Sequence, residues 1–522
     1  MPSDNRARNM IQNEKENSKR IAKNTIFLYF RQILILIVSL YTVRIILKAL
    51  GEEDYGIYNA IGGFVAMFNI LSGALSIAIS RFITYEMGQP SVTTFRLQQI
   101  FSSSLLIQAA MGIIICLLIG TFGVWFIEHK MVIPAGRIDV AVYVLWLSAL
   151  TFFIGLLSVP YNALIIANEQ MKAFAYISVV EAILKLAVAA LLPVIPVDKL
   201  WLYAITMVAV ALIVSSIYAM YCKRNFAECR FVWTFDKRLL SQMFYFSGWA
   251  FLGNGVVVLK DQGSNILLNL FGGPVVNAAQ GIAMKVNSAV YSFVTNFMQA
   301  SNPQITKNYA AGNLDAMQSL IVRSGKFGFY ILLIILLPLC ANIDYILELW
   351  LTDVPAHTAN FVVLVLLYSL IDCFVNPLIT GVLAQGNIKS YEIALTFIYL
   401  VNFIASYVCL KMGMAVETVF VLNIIFKAFV FMALLWHSHS KYGLSVIRFL
   451  KDCTAPSLLV FVISSVFVIV LHDENTPGFG SFALETLAII TFTGITIWAA
   501  GITKNERLYI KKILSDKLKR LH

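Results

Sequence analysis

Ionisable side chains stand inside long apolar runs of this chain, where an ordinary membrane or core segment would have none. The bases are Arg31, Arg44, Lys48, Arg81, Lys185, Lys260, Lys285 and Lys427, and the acids are Glu181, Asp261 and Asp372. A charge at bilayer depth costs several kcal/mol and is expected to face a partner or a wet cavity. Lys48 and Arg81 fall at the ends of their runs and can snorkel to the interface. Arg44 lies within a turn or so of an end. Arg31, Lys185, Lys260, Lys285, Asp372 and Lys427 are too deep for that escape. Glu181 and Lys185 are spaced i, i+4 and can pair on one helix face. Lys260 and Asp261 sit among Gly248, Gly253, Gly255 and Gly263, with Asn254, Gln262 and Asn265 nearby. Glycine at that density predicts a bending helix, and the polar group it carries needs water or protein around it. Bases outnumber acids, so the chemistry expected is capture of an anion such as a phosphate or diphosphate.

Other chemistries lack their residues. There is no GxxxxGK[ST] phosphate loop, no HExxH and no Cys/His metal spacing. No catalytic or metal-ligating residue is therefore assigned, and no cofactor. The seven cysteines lie mostly in apolar runs without CxxC spacing and read as structural thiols. Transport work would have to be driven by an H⁺ or Na⁺ gradient, the membrane potential or the substrate gradient.

The elements that must position these charges are membrane helices. Hydrophobic residues make up 59% of the chain and charged residues 13%, against about 25% charged in soluble domains. A bilayer needs about 20 apolar residues per crossing. Spans are expected at roughly 24–48, 55–81, 97–119, 139–159, 174–195, 200–221, 240–270, 276–301, 322–341, 357–384, 391–410, 415–436, 453–472 and 483–502. The fold class is an all-α polytopic membrane protein of about fourteen spans. A polar tail longer than a signal peptide's charged region precedes the first span, which is expected to stay as an anchor.

The net charge of +11 is explained by loop placement, and no nucleic-acid partner is inferred. Lysine and arginine crowd the N-terminal tail, the loop holding Lys223, Arg224, Arg230, Lys237 and Arg238, the loop holding Lys441, Arg448 and Lys451, and the C-terminal tail. The alternate loops are nearly free of them, Lys130, Arg137, Lys199 and Lys411 being the exceptions. By the positive-inside bias both termini are cytoplasmic.

The first spans also repeat. With an offset of 221, Gly51 meets Gly272, Asn59 meets Gln280 and Ser80 meets Ser301. With an offset of 217, Pro160, Ala167, Lys172 and Phe174 meet Pro377, Ala384, Lys389 and Tyr391. Two parallel six-helix repeats follow, a layout typical of transporters that rock two lobes about a central site. The expected organisation is a cytoplasmic tail 1–23, a first lobe 24–221, a basic linker 222–239, a second lobe 240–436, two additional helices within 437–502 and a basic tail 503–522.

The run from Arg44 through Leu50-Gly51-Glu52-Glu53-Asp54-Tyr55-Gly56-Ile57-Tyr58 to Arg81-Phe82 resembles the opening of bacterial polysaccharide transporters of the lipid-linked oligosaccharide flippase type. Pro160-Tyr161-Asn162-Ala163-Leu164, Pro303-Gln304-Ile305 with Ala310-Ala311-Gly312, and Ala384-Gln385-Gly386-Asn387 fit the same family. It shares a superfamily with multidrug and toxin extruders and the lipid II flippase. The resemblance covers most of residues 20–450. It implies alternating access and translocation of an undecaprenyl-diphosphate-linked oligosaccharide, an O-antigen, capsule or exopolysaccharide unit, across a bacterial inner membrane. It implies membrane lipids, and a polysaccharide polymerase or assembly proteins, as partners. Arg31, Arg44, Lys260 and Lys285 are its substrate-binding positions, leaving Asp261, Asp372, Glu181, Lys185 and Lys427 for coupling or cavity structure. Lysines in the second half, where arginine would be expected, give point charges without a bidentate fork. The alternatives are a cation-coupled multidrug exporter, which would favour a carboxylate-rich cavity, and a membrane glycosyltransferase, against which the short loops argue.

Overall fold

The computed structural model describes residues 24–508 except 40, 43–44, 47, 52–53, 56, 59–60, 63, 66–67, 130–132, 134, 234–235, 352–353, 472–477 and 504–505. Among the described residues every regular element is a helix. In chain order these are α1 Asn24–Ser39, α2 Asn69–Met87, α3 Thr94–His129, α4 Ile138–Ala167, α5 Met171–Leu191 and α6 Lys199–Asn225. They continue with α7 Lys237–Ala310, α8 Leu314–Ala341, α9 Ile343–Trp350, α10 Thr358–Gln385, α11 Lys389–Lys411, α12 Thr418–Tyr442, α13 Val446–Leu471 and α14 Phe479–Gly501.

Ten of these helices are long and apolar enough to cross a membrane, and the chain is a polytopic membrane protein. The expected spans outside that ten fall on α1, on α2 and on the two limbs of α7. They are the first two spans of each repeat, and of these α1 is itself apolar, its described part being shorter than the other spanning helices.

Local sequence sets the ends. Asp198 caps α6 by accepting the Leu200 and Trp201 N–H groups at 3.1 Å each, and Lys223 and Arg224 close its last turn, the charge order that suits the helix dipole. Asp236 caps α7 in the same way. Arg137 bonds Asp54 at 2.6 Å and also bonds Asp198, which accounts for a base in a loop set otherwise poor in them. Burial raises the Asp198 carboxyl, but the two N–H groups and Arg137 outweigh that and hold it below the usual carboxylate value.

Contacts divide the chain into two compact units. The first comprises 1–255, 299–313 and 386–392; the second comprises 256–298, 314–385 and 393–522. In the first unit α4 is the hub, packing on α2, α3, α5 and α6; in the second, α10 packs on α8 and α12, and α8 on α13 and α14.

A single glycine breaks α7. Gly273 has φ 77° and ψ −174°, a region essentially restricted to glycine. The limb before it and the limb after it both reach the same turn of α10. Lys260 bonds Tyr368, while Asn287 and Tyr291 bond Ser369 and Asp372. The chain therefore folds back at Gly273. Among the glycines of the first limb no residue leaves helical φ/ψ, Gly273 alone being non-helical. Two of those glycines, Gly253 and Gly263, stand at close approaches. A Cβ on Gly253 would stand 1.9 Å from the Glu392 carboxylate, and one on Gly263 would stand 2.7 Å from the Phe403 ring.

The internal repeat has a backbone counterpart. Glu169 (φ 58°) and Gly386 (φ 88°) are both left-handed, and 169 plus 217 is 386. Pro160 and Pro377, related by the same offset, both lie within helices.

Candidate functional site

A dense polar cluster lies in the second unit, where α7, α10, α11 and α12 meet. Its centre is Tyr368. The Lys260 ammonium stands 4.7 Å from the centroid of that ring and the Lys427 ammonium 5.0 Å. Lys260 also lies 5.5 Å from the Tyr399 ring and 3.4 Å from the Tyr368 hydroxyl. Two cations thus share one aromatic face system, an arrangement that ring quadrupoles support.

Each lysine has its own counter-ion. Lys260 pairs with Asp261 at 2.9 Å. Lys427 forms an ion pair with Asp372, whose other oxygen accepts the Tyr291 hydroxyl at 2.7 Å. Ser369 donates to Asn287 on the second limb of α7, and Asn402 of α11 donates to Asn423 of α12, each at 2.7 Å. The lysine side chains are 8% and 6% exposed, that of Asp372 22% and that of Asp261 41%. Asp261 is therefore the partner open to exchange. The expectation of a cationic excess does not hold within this cluster, which is neutral with two bases and two acids.

Sequence-selected residues divide cleanly by position. Lys260, Asp261, Asp372 and Lys427 come together. Lys285 does not join them: it precedes Asn287 by two residues, about 200° round the helix, and is exposed. It makes no ion pair or hydrogen bond among the described residues. Ser288, Ser292 and Thr295 follow it at helical spacing on the outward side, a polar stripe that suits a wet cavity better than lipid. Arg31 belongs to the first unit, with its guanidinium 4.7 Å from the Phe174 ring. Glu181 and Lys185 pair at 2.6 Å, with side chains 37% and 42% exposed. Arg44 lies outside the described residues.

Several participants are not apparent from sequence. Tyr291, Tyr368 and Tyr399 read there as ordinary apolar aromatics. Lys326 on α8, a charge inside the expected span 322–341 not singled out from sequence, is buried and pairs at 2.7 Å with Glu506, 180 residues away. Glu506 also accepts the Thr503 N–H at 2.9 Å and its hydroxyl at 2.8 Å; the T-x-x-E spacing of a capping box was the available signal. Burial pushes the Glu506 carboxyl up, but Lys326 and Thr503 prevail and hold it below the usual value. Glu169, in the first unit, is a further buried acid.

A shallow, open apolar furrow of about 430 Å³ runs along α13, with one residue of α14 at its edge. Val462, Ile463, Val466, Phe467, Val470 and Phe492 line it, with the two phenylalanines stacked at 3.8 Å.

Comparison with known proteins agrees with this architecture. A family model described as "Polysaccharide biosynthesis protein" matches residues 21–312, and a second, MatE, matches 252–408. No curated protein matches the chain in sequence. Among solved structures, a MATE protein in the bent conformation superposes with a TM-score of 0.72 at 13% identity, covering 82% of this chain and 97% of that one. An outward-facing multidrug resistance MATE family transporter of the MOP superfamily gives 0.68 at 12% identity, covering 81% and 97%. A point mutant of the Vibrio cholerae MATE transporter VcmN gives 0.69 at 17% identity, covering 82% and 98%. At these identities the structural likeness speaks for the fold. Matched by its family model over more than half of its length, the chain belongs to the polysaccharide biosynthesis protein family, transporters of the superfamily that includes the MATE proteins.

Proposed function

We propose that the protein is a flippase that carries an undecaprenyl-diphosphate-linked oligosaccharide, an O-antigen, capsule or exopolysaccharide repeat unit, from the cytoplasmic to the periplasmic leaflet by alternating access. The observation that carries this reading is the furrow on α13 and α14. The MATE structures are matched over 97% of their length by 82% of this chain, so this chain has helix to spare. Its last two helices present an open apolar furrow lined by branched aliphatic and phenyl groups, which suits a polyprenyl tail. A small cationic drug has no such tail.

The headgroup contacts in this reading fall to lysines. Lys285 offers an exposed ammonium on a polar stripe. Lys260 can exchange Asp261, its more exposed partner, for a phosphate oxygen, which accepts the same charge-assisted hydrogen bond. Asp372 is held by Lys427 and Tyr291, so coupling to H⁺ or Na⁺ through it would require that pair to separate. Both termini lie in the cytoplasm on this proposal, in a bacterial inner membrane, with a polysaccharide polymerase or assembly proteins as partners.

Reconstituted protein should move a diphosphate-linked glycolipid across vesicles, and Lys260→Ala with Lys285→Ala should impair this. Normal flipping by a correctly folded double variant would remove the headgroup assignment. Drug sensitivity in a deletion strain with unchanged surface glycan would instead favour a multidrug exporter. Acceptor-dependent sugar transfer by the purified protein would indicate a glycosyltransferase.

A further inference from the structure

Within the first unit, the ends of α2 and α7 meet the two left-handed loops in a crossed pattern. A Cβ on Gly88, just past α2, would stand 2.5 Å from the Lys307 carbonyl oxygen, and Tyr85 and Tyr309 lie 6.3 Å apart. The two helix ends therefore touch. Lys307, near the end of α7, bonds Glu169 at 2.8 Å. Gln304, one turn earlier, donates to the other Glu169 oxygen at 2.5 Å. The Glu169 carbonyl accepts the Asn24 side chain at 3.1 Å, which places all this at the end where α1 begins. On the other side Arg81 of α2 lies against Gly386, where a Cβ would come within 2.3 Å of its guanidinium. Its guanidinium carbon sits 4.9, 4.5 and 5.6 Å from the Phe82, Tyr85 and Phe246 rings.

The internal repeat gives this pattern its meaning. The end of α2 corresponds to the end of α7 with an offset of 221, and Glu169 corresponds to Gly386 with an offset of 217. A base from each half thus reaches the equivalent loop of the other half. At the equivalent loop position the second half has glycine, which adopts a positive φ without steric cost. The first half has glutamate at φ 58°, with its side chain 1% exposed. A strained backbone persists where its surroundings over-determine it, and glycine would serve the turn better. The residue is there for its carboxylate.

We infer that Glu169–Lys307 and Arg81–Gly386 form one crossed latch, which joins the two sequence halves at the end where α1 begins and must release when that end opens. The inference rests on the transport reading, on which this end is the cytoplasmic one. Release takes both arms together, because the helix ends that carry them touch each other. The latch also explains why 299–313 and 386–392, although in the second half of the sequence, belong to the first unit.

The test is hydrogen–deuterium exchange on full-length protein in nanodiscs, comparing Lys307→Gln, Glu169→Gly and the exchanged pair Glu169→Lys with Lys307→Glu. Lys307→Gln should raise exchange several-fold both at 165–172 and at 386–392, the loop it does not touch. Glu169→Gly should do the same although it relieves the backbone, and the exchanged pair should return both loops towards the parent rates. A rise confined to 165–172, or a quieter 165–172 loop in Glu169→Gly with 386–392 unchanged, would overturn the latch. Lys307→Gln leaves the buried turn intact, so it decides the matter if Glu169→Gly does not fold. Because exchange needs no substrate, a normal latch response without glycolipid movement would count against the flippase reading alone.

Discussion

Helix α5 and the contact between α10 and α12 hold charge at membrane depth in different ways. On α5 in the first unit, Glu181 and Lys185 pair along one helix, each more than a third exposed. In the second unit Lys427 and Asp372 pair between α12 and α10, and the lysine is 6% exposed. A pair within one helix restrains nothing beyond that helix. A pair between helices fixes which turn of one faces which turn of the other, and burial makes losing a partner expensive. The contrast separates charges that decorate a helix from charges that register a bundle.

The sharpest way to break this comparison is Lys427→Met. It leaves Asp372 buried without its cation, and loss of one partner from a buried pair costs about 3–5 kcal/mol. Thermal unfolding of the purified variant should show that loss, and the Lys427→Met, Asp372→Asn double variant should recover much of it. No recovery would mean that the pair is not an independent unit. Next comes Lys326→Met, which strands Glu506 and should cost about 3 kcal/mol by the same reasoning. Here pH adds a control. The Glu506 carboxyl is held low, so its stabilisation is complete above the unfolded value of about 4.3 and drains away as pH falls through the lower folded value. Lys326→Met should abolish that acid-side loss in melting curves taken down the pH scale.

Smaller effects sharpen the contrast. Tyr291→Phe removes one hydrogen bond to a charged group and should cost about 1.5–2 kcal/mol, with Lys427 still in place. Glu181→Gln should cost under about 1 kcal/mol in chemical unfolding. A loss as large as that of Lys427→Met would show that the α5 face is dry and that the two pairs are alike.

Sequence reading was strongest where the signal is local. Long apolar runs reveal the spanning helices because a bilayer demands a contiguous stretch, and the i, i+4 spacing of Glu181 and Lys185 reveals their pair. Lys260, Asp261, Asp372 and Lys427 stand out because charge is rare at that depth. Their grouping around Tyr368 does not, since a tyrosine in an apolar run looks like any other aromatic. The Lys326–Glu506 pair spans 180 residues and leaves no spacing to read. Glu169 stands in a connection, where an acid is unremarkable until its φ and burial are known. At Gly253 and Gly263 of α7 the residue type alone does not distinguish two uses. Glycine permits either a bend or a close contact, and only the neighbours, Glu392 and Phe403, decide which.

Gly273 has a consequence for how the chain is made. The turn Phe271-Gly272-Gly273-Pro274-Val275 carries no charge, so it offers the insertion machinery no instruction about which side to stop on. On the proposed topology, Lys237 and Arg238 ahead of the first limb and Lys307 near the end of the second are the retained anchors. Residues 237–310 should therefore enter the bilayer as one hairpin, its tip crossing last and unassisted. A basic residue placed at the tip would set two retention signals against each other during synthesis, and topology would fail there before folding had begun.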